Sequence, residues 1–139
     1  MKLPDKLIVD ANPIISTLIG GAASRIFWDS GIEEFITSEW TLNEVKKYIP
    51  HLAKKTKVPE STIELNLNLL PLTFYTRSFY EDKITKATQL IGQRDPKDVE
   101  LLALVLQLGL PLWTNDKDFE GLGIEYYPTA QLLNLMNHP

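Results

Sequence analysis

Between Asp95 and Gly109 the chain carries a segment that leaves little freedom of fold. Asp95, Pro96, Lys97 and Asp98 suit the N-cap and first three positions of a helix, and Gly109 suits the position just past its end. The residues enclosed, from Val99 through the run Leu101, Leu102, Ala103, Leu104, Val105 and Leu106 to Leu108, leave almost no polar face. Such a helix must be covered on most sides, because an exposed flank would hold apolar surface in water. The rest of the chain has to supply that cover.

It does so by alternation. A short apolar run at 6–9 ends in Asp10, and Asn12 and Pro13 then suit the cap and first position of a helix closed by Gly20 and Gly21. Helical stretches are expected at 22–29, ended by Gly31; at 38–49, stopped by Pro50; and after Pro59, where Ile63, Leu67 and Leu70 recur at helical spacing before Pro71. A further helix is expected at 80–91, ended by Gly92, and a closing one at 128–136. Strands are expected at 35–37, 72–75, 111–114 and 124–126, with a turn at 115–119. Strands alternating with helices imply a parallel or mostly parallel sheet covered on both faces, an α/β fold, and 139 residues suit one domain. In such sheets ligands bind beyond the carboxyl ends of the strands. Asp10 stands at the end of the first strand, and Asp116 and Asp118 just after the fourth.

Composition narrows the chemistry. With no cysteine, disulfides, thiolate metal sites and cysteine nucleophiles are excluded together. Two histidines, His51 and His138, make an imidazole-based zinc site improbable, whereas 18 acidic side chains favour oxygen-ligated cations, Mg²⁺ or Mn²⁺ first. No segment approaches a membrane span, and the N-terminal apolar run is too short for a signal sequence, so a soluble, cytoplasmic protein is expected. The net charge of -4 runs against a generic nucleic-acid binder.

Each acid also has an ordinary structural explanation. Asp10 could face the N-terminus of the helix that follows it, although Asn12 is the better-placed cap. Glu44 completes a capping box with Thr41 if the helix starts there, and Asp98 suits the third position of the helix capped by Asp95. Asn115, Asp116, Lys117 and Asp118 could be no more than a turn. Taken as a set, acids after two strands and near two helix starts can converge at one end of a sheet, where their mutual repulsion calls for a cation. The chemistry implied is phosphoryl transfer: a metal that polarises a phosphodiester, activates water and stabilises the leaving 3′ oxygen. A haloacid-dehalogenase-type phosphatase also starts with Asp after the first strand, but it pairs that Asp with an acid two residues on, where this chain has Asn12.

The run Ile8-Val9-Asp10-Ala11-Asn12, Glu44 within a helix, Asp98 followed five residues on by Ala103, and Leu112-Trp113-Thr114-Asn115-Asp116-Lys117-Asp118-Phe119 resemble the PIN domain. The resemblance spans nearly the whole chain and is strongest from Arg94 to Asp116, where order, spacing and the helix-to-strand setting agree. It implies a three-layer α/β/α sandwich around a parallel sheet, and an Mg²⁺- or Mn²⁺-dependent ribonuclease of the kind that serves as the toxin half of toxin–antitoxin pairs. Asp10, Glu44, Asp98 and Asp116 fall on the four family acids and Asp118 on a frequent fifth, so that Asp10, Asp98, Asp116 and Asp118 are the implied metal ligands. Asn12 and Thr114 fall on supporting polar positions, and Asp95 is read as a cap alone. Ala11 departs from the Ser or Thr of many relatives without removing a ligand.

An RNA substrate, an antitoxin partner and a homodimer follow from the resemblance, and a catalytically silent PIN-like scaffold acting through protein or RNA binding is the alternative. From Val45 to Pro59 there is no acid, and Lys46, Lys47, Lys54, Lys55 and Lys57 accompany His51, a surface suited to a phosphate backbone or to plain solvation. Trp28, Trp40 and Trp113 could serve base stacking, but each lies among apolar neighbours and core packing is expected instead. Phe119 is expected to anchor the acidic turn.

Overall fold

The computed structural model of the chain describes residues 2–138. Its centre is a five-stranded sheet of order β3-β2-β1-β4-β5, parallel at every pairing. The strands are β1 (Lys6–Val9), β2 (Glu34–Ser38), β3 (Leu72–Tyr75), β4 (Leu112–Trp113) and β5 (Tyr126–Tyr127). The first three crossovers are α-helical, through α1 (Ala11–Leu18) and α2 (Ser24–Asp29), α3 (Glu39–Thr56) and α4 (Glu60–Leu69), and α5 (Arg77–Tyr80), α6 (Ile84–Ile91) and α7 (Val99–Leu108); β4 reaches β5 through a 3₁₀ turn at Lys117–Phe119, and α8 (Thr129–Asn137) closes the chain. β1 lies in the middle with Leu7, Ile8 and Val9 fully buried, as a strand covered on both faces must.

Alternate side chains of β1 feed two cores. Leu7 and Val9 join residues of α1, α2, α3, α4 and α8, while Ile8 joins Tyr80, α6, α7 and Phe119 on the other face. The apolar helix α7 buries Leu101, Leu102, Ala103, Leu104 and Val105, and ends on Gly109 in the left-handed conformation (φ 66°) that glycine adopts without strain. The result is the expected α/β/α sandwich.

Several boundaries move for physical reasons. α3 does not stop before Pro50 but runs through it to Thr56, because Val45, Ile49 and Leu52 bury one face while Pro50 faces water, where the carbonyl freed by its missing N–H can be hydrated. α1 is capped by Asp10, whose Oδ1 accepts from the Ala11 backbone N–H at 2.7 Å; Asn12 lies inside the helix. The helix expected over 80–91 is instead α5, a 3₁₀ turn at Glu81–Lys83 and α6, with Tyr80 held by its buried ring and a 2.8 Å hydrogen bond from its hydroxyl to Glu100 of α7. The last strand starts two residues later than expected and ends one later, where Leu112 and Trp113 pair with Tyr126 and Tyr127. Of the tryptophans only Trp113 is in the core, against Phe27 and Phe35; Trp40 is half-buried and Trp28 is 58% exposed.

Candidate active site

The strand order reverses between β1 and β4, so the crossovers diverge there and leave a crevice at the carboxyl ends of those strands. Asp10 follows β1 directly, and Thr114, Asn115 and Asp116 follow β4. The Asp10 backbone N–H donates to the Trp113 carbonyl at 3.0 Å, so the sheet ladder itself sets the distance between the two strand ends.

Asp10 is 9% exposed, and both its oxygens are engaged: Oδ1 with the Ala11 N–H, Oδ2 with the Thr114 hydroxyl, which donates at 2.7 Å. Burial raises its pKa, the two hydrogen bonds oppose the rise, and the charges of Asp116 and Asp95 add to it. Thr114 Oγ1 also accepts from the Asp116 backbone N–H at 3.0 Å, and Asp116 Oδ1 in turn accepts from the Asp118 N–H at 2.9 Å. One hydroxyl thus joins Asp10 to the acidic turn. The turn is a 3₁₀ segment at Lys117–Phe119 whose fully buried Phe119 anchors it in the core. Asn115 ties its start to two helices, donating to Asn12 Oδ1 of α1 and to Thr129 Oγ1 of α8, both at 3.0 Å.

From the opposite side comes Asp95-Pro96-Lys97-Asp98. Pro96–Asp98 is a 3₁₀ turn capped by Asp95, whose Oδ1 accepts from the Lys97 N–H at 3.0 Å. Asp95 is in extended conformation at the cap (φ -153°, ψ 94°), and the turn it opens brings Asp98 back beside it. Asp95, Asp98, Asp116 and Asp118 each present an oxygen, all within 4.8 Å of one another. Asp98 makes no capping hydrogen bond to α7, and its Oδ2 is buried with no hydrogen-bond partner among the described residues. Its pKa is pushed up to about 9, first by burial, then by the charges of Asp10 and Asp95, then by Asp116.

The sequence-expected acids are therefore distributed unequally. Asp98, Asp116 and Asp118 come together with Asp95, which the sequence suggests only as a cap; it does cap the turn, and that same turn carries it to the other three acids. Asp10 stands behind them, lining both cavities at the crevice together with Asp98. Glu44 lines the smaller cavity, of about 240 Å³, with Asp10, Asp95 and Asp98, but is not among the four clustered oxygens. Nor does it close a capping box: α3 starts at Glu39 with Ser38 as cap, and Glu44 Oε1 instead accepts from Lys47 Nζ at 3.3 Å. Asn12 and Thr114 both contact the site's scaffold as described.

Lys46, Lys47, Lys54 and Lys55 are exposed on α3, but they do not share one face. Lys46 borders a separate groove with Leu42, Leu67 and Phe74, whereas Lys47 pairs with Glu44 at the crevice. Two aromatic residues wall the cavity beside the acids: Trp40, which the sequence suggests for the core, and Tyr48, which the sequence does not single out.

Four carboxylate oxygens this close concentrate negative charge that a cation would offset. A pair at 4.8 Å repels by roughly 3 kcal/mol at an effective dielectric of about 20, and there are several such pairs. The unpartnered Asp98 oxygen and the all-oxygen donor set fit a hard divalent cation, which the chemistry of Mg²⁺ and Mn²⁺ sites also requires.

A family model described as PIN domain matches residues 8–136. Curated proteins give no match. Among solved structures, the chain is similar to one of VapBC2 from Rickettsia felis bound to a DNA fragment from their promoter, at 12% identity and a TM-score of 0.65, over 88% of this chain and 98% of that one. It is also similar to Mycobacterium tuberculosis VapC20, a toxin that cleaves the sarcin-ricin loop, at 17% identity and a TM-score of 0.61, over 85% and 95% of the two chains. At these identities the solved structures speak for the fold.

Proposed function

The chain belongs to the PIN-domain family, and from that premise we propose that it is a divalent-metal-dependent endoribonuclease that hydrolyses RNA phosphodiester bonds as the toxin half of a toxin–antitoxin pair. The observation that carries the proposal is the buried, unpartnered Asp98 Oδ2 within a four-carboxylate cluster at the sheet's topological switch point. The fold shared with VapBC2 and VapC20 supports the toxin assignment. The VapBC2 assembly also motivates an antitoxin partner, and the resemblance to the family a homodimer and a cytoplasmic setting. No helix among the described residues is long and apolar enough to cross a membrane.

Asp10, Asp98, Asp116 and Asp118, with Asp95 beside them, would hold Mg²⁺ or Mn²⁺, which when bound neutralises the acids, attracts the phosphodiester and polarises its oxygens. The chain's own groups do the rest. Thr114 fixes Asp10 Oδ2 and the Asp116 backbone through one hydroxyl, so the two strand ends keep their spacing as substrate enters. Glu44 borders the cavity with Oε1 held by Lys47, leaving Oε2 to accept the proton of the attacking water. A bond forms from the water oxygen to phosphorus, the bond from phosphorus to the leaving 3′ oxygen breaks, and solvent returns a proton to that oxygen. Asp10, Glu44, Asp98 and Asp116 are thus the proposed catalytic set.

The test is cleavage of a panel of structured RNAs with Mn²⁺ or with chelator. Wild type should cut only with Mn²⁺, and Asp98→Asn should lose at least about a hundredfold in rate, as removal of a main source of transition-state electrostatics does. Absence of cleavage by wild type across the panel, with RNA still bound, would favour the silent-scaffold reading instead.

A further inference from the structure

Tyr48 lies one helical turn beyond Glu44 on α3, and its side chain lines both cavities at the acid cluster while remaining 40% exposed. With half-buried Trp40 one turn before Glu44, it forms the apolar wall of the smaller cavity, facing Ala11 and Ile15 of α1. The stripe continues outward. His51 follows at three residues, its ring centroid 4.8 Å from that of Tyr48, and Lys55 follows four residues later, so Trp40, Glu44, Tyr48, His51 and Lys55 run along one side of α3. Lys47, Lys54 and Lys57 flank it, all exposed, and no acid occurs from Val45 to Pro59.

Aromatic faces that begin at a carboxylate cluster and pass into lysines match single-stranded nucleic acid: bases stack on the rings and phosphates meet the cations. An apolar peptide would gain nothing from the lysines, and a duplex offers no free base face, because each of its bases is already stacked on both sides. We propose that Tyr48, backed by Trp40, is the stacking subsite for an unpaired base next to the scissile phosphate, and that His51 and Lys55 lead the strand away along α3. The substrate is then RNA that presents at least one unpaired nucleotide beside the cut. This inference rests on the ribonuclease reading and adds to it a specificity-determining residue outside the acid cluster.

The experiment uses the full chain and short fluorescent single-stranded RNAs, intact or carrying one abasic nucleotide at successive positions. For intact RNA, Tyr48→Ala should raise KM by about 10- to 100-fold and leave kcat within about threefold, the size expected for loss of one stacked base. Tyr48→Phe should restore KM, and all three proteins should melt alike. In binding measured without cleavage, on the Asp98→Asn background, one abasic position beside the cut should weaken wild-type Tyr48 strongly and Tyr48→Ala hardly at all. Lys55→Ala should lower the salt dependence of binding by about one phosphate contact. Normal KM and an unchanged abasic profile in Tyr48→Ala would overturn the subsite while leaving the nuclease intact. RNA neither bound nor cut by wild type would overturn the nuclease reading and the subsite with it.

Discussion

At the scale of single residues, the capping roles and the chemical roles of the acids are exchanged relative to what the sequence suggests. Asp10, for which Asn12 looked the better cap, is itself the cap of α1, whereas Asp98 and Glu44, each with a ready capping motif, cap nothing. The reason is that capping motifs are read from spacing alone, while the start of a helix is set by where its strand ends; β2 continuing to Ser38 places the α3 cap three residues before Thr41. Asp10, Asp98 and Asp116 were legible as site candidates because strand ends and helix starts can be located from pattern. Asp95 and Tyr48 were not: one needs the 3₁₀ turn, the other the angle at which α3 passes the crevice. Thr114 gives a prediction at this scale. Thr114→Val keeps the shape but removes both the donor to Asp10 Oδ2 and the acceptor for the Asp116 N–H, so Mn²⁺ affinity should fall by about 10- to 100-fold in calorimetric titration. Thr114→Ser should retain it.

At the scale of elements, α3 is where propensity and tertiary packing disagree most openly. Proline inside a helix removes a backbone hydrogen bond and costs about 3 kcal/mol relative to alanine, which is why Pro50 reads as a stop. Burial of Val45, Ile49 and Leu52 behind it outweighs that cost and carries the helix on to Lys57, whose left-handed backbone ends it. Pro50→Ala should therefore stabilise the protein, by about 1–3 kcal/mol in denaturant unfolding, with the metal site unaltered. An unchanged or lowered midpoint would mean that α3 needs its proline. The outward half of α3 carries His51 and Lys55, so its continuation past Pro50 also matters for the strand of RNA proposed to lie there. The apolar helix α7 shows the opposite case: cap, buried run and Gly109 all agree, and its sequence boundaries were correct apart from the 3₁₀ turn that opens it.

For the molecule as a whole, the strand order brings segments from positions near 10, 95 and 115 to one crevice, which periodicity could suggest but not arrange. A parallel sheet and its covering layers were legible from alternation; the order β3-β2-β1-β4-β5 was not, because it depends on which strand edges meet. Gathering the acids has a stability consequence. The folded-state pKa of Asp98 lies above the ordinary carboxylate value of about 4, reaching about 9, and that of Asp10 is raised too, so the folded state binds protons more tightly than the unfolded chain. In chelator, Tm should then be highest near pH 5 and decline as pH rises towards 9, when Asp98 must ionise inside the fold. Asp98→Asn should flatten that decline, and added Mn²⁺ should reverse it by replacing the proton. A chelated wild type whose Tm rises from pH 5 to 8 would have the wrong sign.

Whether these carboxylates act as one metal site is tested most directly by calorimetric titration of Mn²⁺ into wild type, Asp10→Asn, Asp116→Asn and the exposed control Asp29→Asn. Wild type and Asp29→Asn should bind with equal affinity, and both site variants should bind at least about tenfold more weakly while keeping their fold. Wild-type affinity in both site variants, or no binding by wild type, would contradict the shared site.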